Sequence, residues 1–122
     1  MAQTREERLA YARAYNASAA GRAAKRRYQQ SRKGERHRAA QAALREANYQ
    51  RVADLKRATP CKDCGTHYPP VCMDYDHVDG PKVRAVSEMI SNHASWEAIS
   101  AEIEKCELVC ANCHRLRTYP QR

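Results

Sequence analysis

The six cysteines of this chain all lie at or after residue 61, and four of them occur in pairs with the spacing of a metal-binding knuckle. Cys61-Lys-Asp-Cys64 and Cys110-Ala-Asn-Cys113 are both C-x-x-C sequences. Two such turns complete the tetrahedral set of four thiolates that zinc takes in structural sites. The 45 residues between the pairs exceed the roughly 15–20 of a compact zinc ribbon, so we expect the pairs to meet across intervening elements. A redox C-x-x-C and unrelated thiols are the alternatives.

A carboxylate and two imidazoles accompany these cysteines. Asp76 and His77 precede a turn sequence, Asp79-Gly80-Pro81, and His114 directly follows the last paired cysteine. If zinc joins the two pairs, His114 is carried towards Asp76 and His77. One carboxylate oxygen and one imidazole nitrogen make half of a site for a divalent ion, and an imidazole that is not a ligand can take a proton from water. The alternative is a surface Asp–His pair and a histidine that caps a helix.

The strand that carries Asp76 and His77 poses a geometric problem. Adjacent side chains of an extended strand point to opposite faces, so these two share a site only if the strand ends or bulges there. Asp74, two residues earlier, is either a partner that orients a ligand or a solvent-facing strand residue.

Three segments, CKDCG, DYDHVDGPK and EIEKCELVCANCHRLRT, make residues 61–118 resemble the HNH endonucleases, in the variety with a four-cysteine zinc frame around a ββα-metal (His-Me finger) core. The resemblance implies a metal-dependent endonuclease that hydrolyses phosphodiester bonds of DNA, by nicking or double-strand cleavage. It implies His77 as the general base, Asp76 and His114 as ligands of a catalytic Mg²⁺ or Mn²⁺, and a structural Zn²⁺ on Cys61, Cys64, Cys110 and Cys113.

The chain departs from that family at the middle asparagine. This residue usually lies well before the final histidine and orients the base, whereas the nearby candidate here is Asn112, two positions before His114. Cys72 and Cys106 lie outside the motif, and we expect them to be small buried residues.

Charge divides the chain into two parts. Residues 1–58 contain 15 Lys or Arg against 5 Asp or Glu, and residues 59–122 contain 7 against 9. We therefore expect an α+β protein in which a basic helical arm, residues 1–58, precedes a zinc-stapled nuclease domain, residues 59–122. The arm's apolar stripe is thin, so it is expected to be partly disordered until it meets nucleic acid.

Short sequence signals predict the helices and strands. Thr4 and Glu7 fit a capping box, and a break at 31–34 divides the arm into two helices of about 25 and 22 residues. Thr59-Pro60 ends the second helix. In the remainder we expect strands at 71–76 and 107–109. We expect helices at 86–90, at 95–105 with Ser95 as the N-cap, and at 112–118.

Basic residues supply candidate nucleic-acid contacts. Beside the predicted site these are Lys82, Arg115 and Arg117, and in the arm they are Arg26, Arg27 and Lys33. Cations of this kind contact phosphates and give salt-dependent affinity for DNA, here expected to be double-stranded. A solvated helical face is the alternative for the arm.

Other sequence features indicate where in the cell the protein is expected and which alternative functions it could have. No apolar run approaches a membrane span and the N-terminus lacks a secretory signal, so we expect a cytoplasmic protein without a membrane partner, in which six cysteines favour metal over disulfides. The resemblance suggests a bacteriophage or bacterial setting, with phage packaging machinery among the conceivable partners. A non-catalytic, zinc-stapled DNA-binding or adaptor protein is the alternative from another class, and an RNA-directed nuclease is a third.

Overall fold

The computed structural model describes residues 2–120. Over these residues the protein is α+β, with six α-helices and one antiparallel sheet of two strands, as the sequence predicts at the level of class. It divides into two compact units, residues 1–40 and residues 41–122. Residues 1–40 contain 11 Lys or Arg against 3 Asp or Glu, and residues 41–122 contain 11 against 11. The whole net charge of +8 therefore belongs to the first unit.

The first unit consists of helices α1 (Arg5–Ala17) and α2 (Ala19–Gln30) and the first part of α3 (Arg32–Ala58). The predicted capping box is present, because the Thr4 hydroxyl accepts from the Glu7 amide and the Glu7 carboxylate accepts from the Thr4 amide. The prediction of a single first helix of about 25 residues was wrong. Ser18 interrupts it, in addition to the predicted break near residue 31.

The two breaks use the same local sequence, Tyr-x-x-Ser-x-x-Gly, at residues 15–21 and 28–34. In the first, the Ser18 amide and hydroxyl both donate to the Tyr15 carbonyl, and the Gly21 amide donates to the Ser18 hydroxyl. A Cβ at Gly21 would lie 2.0 Å from the Tyr15 carbonyl oxygen. Each serine thus ends one helix and caps the next, and each glycine is needed where two helical segments approach closely.

The second unit begins within α3, which ends before Thr59-Pro60 as expected. The chain then forms β1 (Met73–His77), α4 (Val86–Ser91), α5 (Trp96–Ile103), β2 (Cys106–Cys110) and α6 (Ala111–Thr118). The first strand begins two residues later than predicted, because Pro70–Cys72 form a 3-10 turn instead. Ser95 caps α5 by accepting from the Ala98 amide, as expected for that helix, although the helix ends two residues early.

The sheet fixes the register of the candidate site residues. Strands β1 and β2 pair antiparallel, with Asp76 opposite Glu107 and His77 opposite Cys106. Helix α6 follows β2 without a loop. His114 is therefore carried on the helix that continues directly from the strand paired with β1.

Two small cores stabilise this unit. One contains Val52 of α3 with apolar residues of α4 and α5, and Ile99 at its centre is fully buried. The other surrounds the cysteines and contains Met73, Leu108 and Val109. The last part of α3 packs on this unit with polar contacts as well, because the Asn48 amide nitrogen donates to the Ala94 carbonyl at 3.0 Å.

None of the helices described for this chain combines the length and the apolar character that crossing a membrane requires.

Candidate metal centre and the adjoining histidine site

The two C-x-x-C pairs meet in the structure. The sulfur atoms of Cys61, Cys64, Cys110 and Cys113 all lie within 4.8 Å of one another. Tetrahedral zinc–thiolate bonds of about 2.3 Å place sulfurs about 3.8 Å apart, so the four side chains fit a single ion of this kind. The predicted cluster is confirmed, and it could hold a metal ion such as zinc.

Hydrogen bonds donated by backbone amides shape each of the two C-x-x-C knuckles, residues 61–64 and 110–113. The Gly65 amide donates to the Cys61 carbonyl at 2.9 Å, and Gly65 has a φ of 72°, a conformation that suits glycine. On the other knuckle, the Cys113 amide donates to the Cys110 sulfur at 3.4 Å, so Cys110 also caps α6. The knuckles are joined because the Cys110 amide donates to the Cys61 sulfur at 3.2 Å.

The electrostatics of the cluster suit a bound cation. Burial raises the pKa of Cys61, but backbone amides of Cys64, Cys110 and Asp63 outweigh it and bring that pKa to about 6. The neighbouring thiols, Cys110 first, raise the pKa of Cys113 to about 12. Four thiolates at this separation repel one another, and a divalent cation between them removes that penalty.

The two remaining cysteines lie outside the cluster and are partly buried. Cys106 donates to the Glu102 carbonyl at 3.3 Å. Burial, reinforced by the charge of Glu102, raises the pKa of Cys106 to about 11. It is therefore protonated at neutral pH.

Two aspartates of β1 contact His114. Asp74 Oδ2 lies 3.1 Å from Nδ1 of His114, and Asp76 Oδ1 lies 3.5 Å from Nε2 of the same ring. Asp74 and Asp76 share one face of the strand because they are two residues apart. The structure thus brings Asp76 and His114 together, and it adds Asp74, for which the sequence left two interpretations open.

Arg117, one turn beyond His114, holds the same face in place. Its guanidinium donates to Asp63 at 2.7 Å through two nitrogens, to Asp76 at 2.9 Å and to Glu107 at 3.1 Å. These carboxylates, Asp63 first, raise the pKa of Arg117 well above its usual range. Most of its donors are therefore used within the protein. A contact with nucleic acid by this residue stays a prediction.

His77 lies on the opposite face of β1 and contacts a different acid. Its Nε2 is 2.8 Å from Oε1 of Glu102, a residue of α5 that is 2% exposed. The same oxygen accepts from the Val83 amide at 3.0 Å, and the other oxygen accepts from Lys105 at 3.0 Å. The alternation expected of a strand is thus observed, with no bulge at Asp76.

One cavity of about 760 Å³ nevertheless reaches both imidazoles. It is lined by Asp74 and His77 from opposite faces of β1 and by His114 from α6, and no residue of β2 lines it. The cavity therefore passes around the edge of β1 that is not paired with β2. Its cationic lining residues are Arg45, Lys56 and Lys82. A second cavity, of about 680 Å³, lies beside Cys61 and is lined by neither histidine.

The other predicted site residues lie on the surface. Asn112 and Arg115 are exposed on α6, and within the described chain the Asn112 side chain makes no hydrogen bond. Lys82 is exposed at the rim of the histidine cavity. In the first unit, Arg26, Arg27 and Lys33 are exposed, which leaves them free for contacts.

Sequence reasoning did not select Glu102 or Asp63. The sequence does mark Glu102 as unusual, because it lies on the apolar face of α5, three residues after Ile99 and directly before Ile103. A charged residue on such a face is rarely fully buried without a partner. For Asp63, which lies between Cys61 and Cys64, no sequence feature predicts the pairing with Arg117.

Comparisons of this chain with protein-family models, with curated proteins and with solved structures gave no match.

Proposed function

We propose that this protein is a metal-dependent DNA endonuclease of the HNH kind, with its active site in the second unit. The observation that carries the proposal is the single cavity that His77 and His114 both line. The four-cysteine cluster adjoins the segments that carry these histidines. Cys61 and Cys64 precede β1, which carries His77, and Cys113 directly precedes His114. A bound Zn²⁺ there would stabilise the fold and take no part in the reaction.

The proposed catalytic ion is held by Asp76 and His114. A carboxylate oxygen and an imidazole nitrogen 3.5 Å apart fit two neighbouring positions of one coordination shell, with the others left to water and phosphate oxygens. When bound, Mg²⁺ or Mn²⁺ would stabilise negative charge on the phosphate and leaving oxygen. Asp74 accepts from Nδ1 of His114, a pairing that fixes which ring nitrogen is free to bind the ion.

His77 is the proposed general base. It accepts a proton from water, whose oxygen forms a bond to phosphorus as the bond from phosphorus to the leaving deoxyribose oxygen breaks. Imidazole is the side chain that most often serves as a general base in enzymes. Its side chain is 11% exposed, so it is accessible from the cavity but shielded from bulk solvent.

Charge supports DNA as the substrate. In the second unit, Arg45, Lys56 and Lys82 line the cavity and can contact phosphates on either side of the bond that is cut. The first unit contributes the net charge of +8, and its exposed arginines and lysines would bind the DNA backbone without reading sequence.

The test is cleavage of supercoiled plasmid DNA with Mg²⁺ or Mn²⁺. His77→Ala should abolish cleavage while zinc content and DNA binding persist, and His67→Ala, an exposed histidine beside the first knuckle, should cut like the wild type. Equal cleavage by His77→Ala would refute the assignment of the base. Intact plasmid across several divalent ions, together with salt-sensitive DNA binding, would instead favour the non-catalytic DNA-binding protein.

A further inference from the structure

Glu102 is the one acidic side chain that is fully buried among the residues that the structure describes. Burying a carboxylate is unfavourable unless its oxygens are paired. Both oxygens of Glu102 are paired, with the Val83 amide and His77 on one oxygen and with Lys105 on the other. These contacts tie α5 to β1 and to the loop that follows it.

The charge of Glu102 determines which nitrogen of His77 carries the proton. The ammonium of Lys105 contributes most, and with the Val83 amide and His77 it overcomes burial and lowers the pKa of Glu102 to about 2. The carboxylate is therefore ionised and only accepts hydrogen bonds. In a neutral ring, Nε2 must then carry hydrogen, and Nδ1 is the bare nitrogen. Within residues 2–120, Nδ1 of His77 has no hydrogen-bond partner.

We propose that Glu102 is the positioning residue for His77: its carboxylate holds the ring in the Nε2–H tautomer and fixes its orientation, so that Nδ1 accepts the proton of the attacking water. This role rests on the proposed function, in which His77 is the base. A base oriented by a third group is the arrangement that nucleophile-activating sites share. The resemblance to HNH nucleases assigns the orienting role to an asparagine, and Asn112 is exposed and has no such contact.

A purely structural role for Glu102 has to be separated from positioning. Lys105 provides the control, because Lys105→Met removes a hydrogen bond of the same carboxylate without removing the one to His77. Lys105 also contributes most to the low pKa of Glu102, so the wild type and Lys105→Met are compared at about pH 8, well above the usual pKa of a glutamate. Glu102→Gln changes the contact with His77 itself. In this variant a single amide oxygen has to face either Lys105 or the Val83 amide and His77. The group beside Nε2 is then no longer a charged acceptor, so the ring loses its fixed preference for the Nε2–H tautomer.

The test combines plasmid cleavage kinetics with long-range ¹H–¹⁵N NMR spectra of the histidine rings in full-length, zinc-loaded protein. We expect the Nε2–H tautomer at His77 in the wild type and in Lys105→Met, and a mixture of the Nε2–H and Nδ1–H tautomers in Glu102→Gln. In Glu102→Gln kcat should fall about 10–100-fold, the range of supporting contacts of this kind, with KM within about twofold. In Lys105→Met kcat should change less than about threefold.

Other outcomes overturn the proposal. An Nδ1–H tautomer of His77 in wild-type protein overturns it, and that result needs no variant. An equal loss of kcat in Lys105→Met and Glu102→Gln also overturns it. Wild-type protein that cuts no DNA refutes the proposed function, whereas the tautomer of His77 still shows whether Glu102 orients the ring. If Glu102→Gln does not fold, the wild-type tautomer decides the matter: Nε2–H at His77 supports the proposal and Nδ1–H overturns it.

Discussion

Replacing an exposed cysteine tests whether a metal ion stabilises the second unit. Cys64 is exposed, so in a metal-free protein Cys64→Ser is an ordinary surface substitution with an effect within about 0.5 kcal/mol. If Cys64 is one of four zinc ligands, the same change removes a metal–sulfur bond. The two cases differ enough for one unfolding experiment to separate them.

The size of the effect follows from the core around the cluster. Its buried apolar side chains other than cysteine are Met73, Leu108 and Val109, and burying each is worth about 1.5–3 kcal/mol. Together they contribute roughly 5–9 kcal/mol, less than the approximately 10–16 kcal/mol of structural zinc in small domains. We therefore expect Cys64→Ser to cost about 3 kcal/mol, a quarter of the zinc contribution.

The assay is denaturant unfolding under reducing conditions, followed by the fluorescence of Trp96. This is the one tryptophan of the chain, and it packs against the core of the second unit. Cys72→Ser is the matched control, because Cys72 lies outside the cluster, and it should lower stability by about 1 kcal/mol or less. Equal midpoints for the two variants, or a wild-type midpoint unchanged after chelation, would refute the reasoning.

Three further substitutions test other contacts. Val52→Ala should destabilise the second unit by about 2 kcal/mol. The control, Val71→Ala at a position that is 89% exposed, should cost less than about 0.5 kcal/mol. Equal unfolding midpoints for the two variants would contradict the packing of α3. Gly21→Ala should lower the helical circular dichroism signal of the full chain, because the added Cβ would overlap the Tyr15 carbonyl; a gain in helicity, which propensity alone predicts, would contradict the close approach. Asp74→Asn should reduce plasmid cleavage about 10–100-fold with zinc content unchanged; wild-type rates would show that Asp74 does not orient His114.

The cysteine cluster was predictable because its signal is local. Each C-x-x-C pair has its own turn, and four thiols in a small chain have few alternative partners. The capping box of α1 and the cap of α5 were predictable for the same reason, since a serine or threonine acts on an amide within three residues of it.

The break at Ser18 was not predictable by the same means. Its sequence, Ala-Ser-Ala-Ala-Gly, has good helix propensity apart from one glycine, and propensity sums over a window do not detect a side-chain hydrogen bond that ends one helix and begins another. The break at residues 31–34 was predicted, although Gly21 follows Ser18 at the same spacing as Gly34 follows Ser31. Only the structure shows that the two breaks have the same hydrogen bonds, 13 residues apart.

Glu102 was missed because its role depends on residues that the sequence separates. Its partners His77 and Val83 are 25 and 19 positions away. No local sequence pattern indicates that the polar atoms of Glu102, His77 and Val83 meet. The pairing of Arg117 with three carboxylates escaped prediction for the same reason, and a contact of this residue with DNA stays a prediction.

The unpaired edge of β1 resolves the geometric problem that the sequence raised. Strand alternation places Asp74 and Asp76 on one face with His114, and His77 on the other with Glu102. In the middle of a wider sheet these groups would be separated by the sheet itself. A two-stranded sheet leaves one edge of β1 free, and a cavity at that edge is accessible to side chains from both faces. The small size of the sheet is therefore what lets His77 from one face of β1 and Asp74 and His114 from the other line one cavity, as the proposed nuclease requires.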